Sequence, residues 1–180
     1  LGLEGLNDTL INDRGFATGT SGYYTAEPEF GNMIYQAKRI GFTLFGYEAR
    51  DARTAKEREI QQAENINKFI KDHPTGKYLI HCGFDHVHEG ASKYWEKAMA
   101  GRLKEITKID PFTIDQVLFT AKSRPEFSHY LLKASGQSLP FVLIGKEEQA
   151  FSGLQEPQQT DIAVLHPLTT YVSGRPDWIA

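Results

Sequence analysis

Apolar positions along the chain change period several times, and each change marks an element. Leu1-Gly2-Leu3-Glu4-Gly5-Leu6 alternates apolar and small residues around a single charge and reads as a strand. Residues 7–26 are rich in Gly, Asn, Asp, Ser and Thr and predict a long loop, of the kind that often walls a site. Pro28, flanked by Glu27 and Glu29, suits the first turn of a helix reaching about Arg39. That helix would carry Met33, Ala37 and Ile40 on one face and stop at Gly41. Phe42 to Tyr47 reads as a strand ending at Glu48. Beyond the polar loop Ala49 to Thr54, a helix is predicted from about Lys56 to His73, with Ile60, Ala63, Ile66, Asn67, Phe69 and Ile70 on its buried stripe.

The next strand, Lys77 to Cys82, stops at Gly83. Tyr94 to Lys108 has Trp95, Met99, Leu103 and Ile106 at helical spacing. Further on, Thr113 to Thr120 reads as a strand, Pro125 to Ala134 as a short helix, Phe141 to Ile144 as a short strand, and Ile162 to Leu165 as one more. Residues 145–160 read as a polar loop, and Arg175-Pro176-Asp177-Trp178-Ile179 closes the chain. Strands alternating with helices of this length predict a single α/β domain over residues 1–180, a mostly parallel sheet flanked by helices in three layers.

Composition narrows the partners. With 20 Lys plus Arg against 23 Asp plus Glu, the net charge of −3 offers no basic excess for nucleic acid. A small molecule or a peptide is the natural substrate. The lone Cys82 excludes an intrachain disulfide and a cysteine-based zinc site. No apolar run approaches the ~20 residues of a membrane span. The chain starts at Leu1 inside a strand, which predicts an upstream segment, and any signal peptide would lie there.

Chemistry concentrates beyond the ends of the early strands. Glu4, Glu48 and the turn Asp85-His86-Val87-His88 fall at the same end of successive strands, where right-handed crossovers collect ligands and catalytic groups. Helix 56–73 starts at that edge with Arg58 and Glu59, and Arg58, Gln62 and Asn65 form one polar stripe. A glutamate in a first turn is ordinary helix-dipole chemistry, and such a stripe is ordinarily a solvated face. His81 reads as a hydrogen-bonded core histidine and Cys82 as inert packing. His86 and His88 have the spacing of two metal ligands on a loop, although metal sites usually need three or four. Phe16, Tyr23, Tyr24, Phe30 and Tyr35 could wall a pocket or fill core.

Four segments together, Leu3-Glu4-Gly5, Arg58-Glu59-x-x-x-Ala63-x-Asn65-Ile66, Gly83-Phe84-Asp85-His86 and Ala98-Met99-Ala100-Gly101-Arg102-Leu103-Lys104, resemble the erythromycin esterase / ChaN / Tiki superfamily. The resemblance is best from Arg58 to Val117. It implies an α/β domain with its site on the carboxyl edge of the sheet, in a superfamily of macrolide esterases, metal-dependent proteases and haem-binding lipoproteins. Its functional set comprises a Gly-Glu-x-x-His element, a strand glutamate, an arginine–acid pair opening a helix, and a later Gly-x-x-His. Glu4, Arg58, Glu59 and His86 match the last three, and the first is not present in this sequence.

The reading that follows is a hydrolase of ester or peptide bonds. His86 would be the general base, Glu4 and Glu59 would orient it or hold a divalent metal, and Arg58 would steady the oxyanion. Glu48, Asp85, His88 and Asn65 would contact substrate. The alternative is a non-enzymatic binder of haem or another small ligand, with His86, His88 or Tyr23 as axial ligand. A buried Glu4 would need a partner, expected from the missing upstream element. The chain alone is therefore expected to leave an exposed apolar edge or open pocket beside Glu4 and to be poorly soluble or form a homodimer through that edge.

Overall fold

Gly2–Leu3 (β1) lies between Phe45–Gly46 (β2) and Ile80–His81 (β3), parallel to both. The computed structural model describes residues 1–25, 27–122, 124–153, 159–167, 171–172 and 175–176. The register sets Gly2 beside Phe45 and Ile80, and a Cβ on Gly2 would come within 2.8 Å of both side chains. Glycine at position 2 is what lets two large apolar residues meet across the central strand.

β1 is joined to β2 through the helices Ile11–Arg14 (α1) and Pro28–Arg39 (α2), and β2 to β3 through Ala55–Asp72 (α3). The two crossovers leave β1 and β2 in opposite directions along the sheet, which for right-handed connections puts α2 and α3 on opposite faces. The packing agrees. Ile34 and Ala37 of α2 pack with Leu1, Leu3, Leu6, Ile11 and Leu44. Ala63 and Ile66 of α3 pack instead with Phe45, Tyr47 and the Met99 and Leu103 of Met99–Thr107 (α4).

The two long helices start where their caps place them. The Glu27 carboxylate accepts from Phe30 N at 2.8 Å, and the Thr54 hydroxyl accepts from Glu57 N at 3.1 Å. Ile40, expected on the buried face of α2, is 75% exposed, because α2 ends at Arg39 and Gly41 turns the chain in a left-handed conformation. The expected loop 7–26 contains α1 and is tied together by Asp8, which accepts from both Arg14 and Ser21. Those two bonds hold the Asp8 carboxyl below its usual range.

Several other expectations change. Helix 94–108 begins only at Met99, because residues 91–97 form an antiparallel hairpin, Ala91–Ser92 (β4) with Glu96–Lys97 (β5). Ile114–Thr120 (β6) pairs in parallel with Ile162–His166 (β7) as a separate sheet over a core of Phe119, Leu132, Ala163 and Leu165. Helix 125–134 divides into a 3₁₀ turn at Pro125–Phe127 and Tyr130–Ser135 (α5). The expected strand 141–144 makes only isolated bridges, Phe141 to Leu165 and Ile144 to Ala150. Tyr171–Val172 (β8) and Arg175–Pro176 (β9) pair antiparallel. Residues 154–158 of the expected loop and Asp177-Trp178-Ile179 lie outside the described residues. The protein is thus mixed α/β with parallel strand pairs and helices. Among the described residues no helix is long and apolar enough to cross a membrane.

Candidate active site

Because β1, β2 and β3 are parallel, the residues just past their carboxyl ends meet at one edge: Glu4 after β1, Glu48 after β2 and Gly83 after β3. α3 begins at the same edge and projects Arg58 into it. The Arg58 guanidinium is the hub. Its Nη2 donates to Glu4 Oε1 at 2.5 Å and to Glu48 Oε2 at 2.8 Å, and its Nε donates to Glu48 Oε1 at 2.9 Å. Its Nη1 lies 3.1 Å from His86 Nε2. Carboxylate pairing of this bidentate kind is what the planar guanidinium is shaped for.

The same bonds answer how a buried Glu4 is tolerated. It is 3% exposed, and its second oxygen accepts from Gly83 N at 2.5 Å. Its partners are Arg58 and Gly83 of this chain, not the upstream element expected for it. Gly83 is a place of close approach: a Cβ there would sit 3.3 Å from both Glu4 Oε2 and His86 Cδ2.

His86 enters from a 3₁₀ turn, Phe84–Val87, that opens directly after Gly83. Its Nδ1 lies 2.8 Å from the Glu59 carboxylate, which also accepts from Met99 N at 2.8 Å. No side chain of its own caps α4, so Glu59 of α3 supplies the negative group at that helix's positive end. Glu59 is 1% exposed and His86 7%. An arginine nitrogen can only donate, so Nε2 of His86 accepts and its proton sits on Nδ1, pointing at Glu59. The imidazole is thereby assigned one tautomer, with its lone pair turned toward Arg58 and, 3.6 Å away, Glu4 Oε1.

Burial pushes the Glu48 carboxyl up, but the Arg58 hydrogen bond and charge, with Ala49 N and the Gln62 amide, outweigh it and hold the group below its ordinary value. Bonding to Glu48, opposed by burial and reinforced by Glu4, raises Arg58 further above its ordinary range. Gln62 is fully buried; its Nε2 donates to Glu48 Oε1 at 3.0 Å while its own Oε1 has no partner among the described residues. The polar stripe of α3 is therefore not a solvated face.

Asn65, expected to contact substrate, also ties two elements together. Its Nδ2 donates to the carbonyls of Tyr47 at 3.1 Å and Glu48 at 3.2 Å, which pins the end of β2 to α3. Asn65 and Glu48 also border an open groove of about 700 Å³ with Leu6, Phe45, Lys68 and Phe69.

Asp85 and His88 do not join the cluster. They line a separate cleft of about 260 Å³ with Asp115, Val117, Leu118 and Thr160. In a 3₁₀ turn residues three apart eclipse one another, so Asp85 and His88 share one side and His86 takes another. His81 is also misread by sequence: it is exposed, its ring meets Phe30 edge-on at 5.1 Å, and its carbonyl accepts from the buried Tyr47 hydroxyl at 2.7 Å. Burial pushes the Cys82 thiol up to about 12, in keeping with inert packing.

Trp95 was placed by sequence in the core stripe of a helix. It sits in the β4–β5 hairpin instead and stacks on His86, with centroids 4.9 Å apart and planes 4° from parallel. No periodicity signal could have shown this, because the contact depends on a hairpin whose Glu96 adopts a left-handed φ of 61°. Of the loop aromatics, Tyr24 rests its ring against Gly5, next to Glu4, and Tyr23 is 84% exposed. Burial, then the charge of Glu4, raises the Tyr24 phenol above its ordinary value.

Among the described residues no group of three or more His, Cys, Asp or Glu side chains is arranged to hold a metal ion. The guanidinium of Arg58 takes the central position that a cation would need. Of the axial ligands considered for haem, His86 has both nitrogens engaged, His88 lies in the other cleft and Tyr23 is 84% exposed. Compared with family models, curated proteins and solved structures, the chain matches none.

Proposed function

We propose that the chain is a hydrolase of ester or peptide bonds, a three-layer α/β domain of the erythromycin esterase / ChaN / Tiki type acting on a small-molecule or peptide substrate. One observation carries the reading: a buried Glu59–His86 pair whose accepting Nε2 lies 3.1 Å from a guanidinium N–H. That pair has the parts of a base and its orienting carboxylate.

In this reading a water and a substrate carbonyl exchange the N–H···N contact between Arg58 and His86 for two better ones. His86 Nε2 takes the water proton as the oxygen attacks the carbonyl carbon. Glu59, already bonded to Nδ1–H, stabilises the positive charge the ring gains. Arg58 Nη1 is free to donate to the oxyanion, because Glu4 and Glu48 hold the rest of the guanidinium in place. His86 then returns its proton to the leaving alkoxide or amine. Glu4 and Glu48 are positioning groups here, and no step passes through a metal or haem.

The test is hydrolysis of 4-nitrophenyl acetate and of a fluorogenic peptide by the chain and by its His86→Asn and Glu59→Gln variants. General-base catalysis is worth about 10²–10⁴-fold, so His86→Asn is expected to lose at least about 100-fold in kcat/KM on whichever substrate is cleaved. Wild-type rates in a folded His86→Asn variant would overturn the assignment.

A further inference from the structure

The contacts of His86 within its own ring plane leave one motion free. Bonds to Glu59 at Nδ1 and to Arg58 at Nε2 hold the two nitrogens, yet the ring can still rock about its Cβ–Cγ bond as those bonds flex. That rocking carries Nε2 out of plane and turns its lone pair away from any one target. A flat surface against the ring face removes this freedom, and Trp95 supplies one, 4° from parallel with centroids 4.9 Å apart.

The backbone that carries the indole is well held. Arg102 reaches the hairpin from α4, donating from Nη2 to Trp95 O at 2.7 Å and from Nε to Lys97 O at 2.8 Å. Ser92 Oγ accepts from Trp95 N at 3.3 Å, and Lys56 of α3 pairs with Glu96 at 2.6 Å. The hairpin is thus fastened to α4 and to α3, the same helix that carries Glu59 and Arg58. Trp95 and the two in-plane partners of His86 belong to one frame.

We infer that Trp95 is the positioning residue of His86: its stacked indole fixes the tilt of the imidazole and so aims Nε2. This deepens the hydrolase reading, on which its catalytic consequence rests, while the stack itself exists whether or not the chain turns over a substrate. Indole faces also attract cations most strongly among the aromatic side chains, so the same stack favours the imidazolium that forms when His86 takes a proton.

Two measurements test it on the full chain. The sequence has two tryptophans, so Trp178→Phe leaves Trp95 as the sole indole emitter. The expected result is a clear change in Trp95 emission intensity when the stacked ring is removed in His86→Asn. Emission unchanged by His86→Asn would overturn the proposal. The second measurement is ester hydrolysis with Trp95→Phe and Trp95→Leu. Misaiming a catalytic group can cost about 100-fold, so Trp95→Leu is expected to lose on that order in kcat with KM within about twofold, and Trp95→Phe to restore most of it. Equal kcat in wild type and a folded Trp95→Leu would count against positioning. If the wild type hydrolyses nothing, the hydrolase reading falls. Positioning is then decided by long-range imidazole ¹H–¹⁵N spectra, in which Trp95→Leu must shift the His86 ring signals for the inference to survive.

Discussion

Two polar regions flank the 3₁₀ turn at Phe84–Val87, and they are built in opposite ways. On one side Glu4, Glu48, Arg58, Glu59 and His86 form a closed web in which every side chain bonds at least one other member or a backbone N–H. On the other, Asp85, His88, Asp115 and Thr160 line an open cleft, and the one anchored carboxylate, Asp115, accepts from the backbone of Val117 and Leu118. Burial alone does not separate them, since Asp115 and Thr160 are buried as well; what differs is the Arg58 hub, which pairs the carboxylates of Glu4 and Glu48 where an unpaired buried carboxylate would be costly. Only the first region has both the rigidity and the oriented lone pair that chemistry requires.

The harshest way to break this contrast is to remove the hub. Arg58→Leu leaves Glu4 and Glu48 without their cation, and taking away one member of a buried ionic network typically costs about 3–5 kcal/mol. Arg58 itself is a third exposed, so the lower end, about 3 kcal/mol, is the expected loss in a urea unfolding curve. A change under about 0.5 kcal/mol would mean the web adds nothing beyond ordinary surface polarity.

Glu48 provides a pH-resolved version of the same test. Its folded-state carboxyl lies below its ordinary value, so its contribution is complete above the unfolded-state value of about 4.3 and disappears as pH falls through the folded-state one. Stability is therefore expected to decline with acid below about pH 4.5, and Glu48→Gln should flatten part of that decline while lowering stability at pH 7 by about 1 kcal/mol. An acid limb of unchanged slope in Glu48→Gln would place the titrating groups elsewhere.

Gln62 offers a smaller and more ambiguous lever. Replacing it with Leu removes its bond to Glu48 but also its unpartnered Oε1, and these effects oppose one another. The expected net change is within about 1 kcal/mol, read as a shift in urea midpoint. A loss much beyond that would show that Gln62, like Arg58, belongs to the structural minimum of the web.

How much of this was legible in the sequence depends on whether local or long-range forces place a residue. α2 and α3 were found to within a residue because proline, acidic caps and a 3.6-residue stripe act locally. The meeting of Glu4, Glu48, Arg58 and His86 was legible as well, since parallel strands and right-handed crossovers leave one edge for all of them. Asp85 and His88 fall outside the cluster because three residues of separation in a 3₁₀ turn restores the same side, whereas a simple loop carries no such rule. Trp95 failed differently. Its spacing to Met99 and Leu103 imitated a helix stripe, while a hairpin bound to α3 and α4 through Lys56 and Arg102 decided its position. Asn65 was seen as a site residue, but its amide is spent on two backbone carbonyls, which no one-dimensional pattern records.

The smallest expected effect lies in the cleft, and it completes the contrast. Neither Asp85 nor His88 makes a side-chain hydrogen bond or ion pair to the web, and both are partly exposed. Removing a partly solvated side chain with no bonded partner leaves little behind that water cannot satisfy, so Asp85→Asn and His88→Ala are each expected to change stability by less than about 0.5 kcal/mol. If His86 is the base, both variants should also retain ester hydrolysis within about threefold of wild type, since neither reaches Nε2 or the Arg58 donor. Asp85 adjoins His86 in sequence, so it is the more demanding control. A large loss of activity in a stable His88→Ala would move the chemistry across the turn into the open cleft and reverse the comparison.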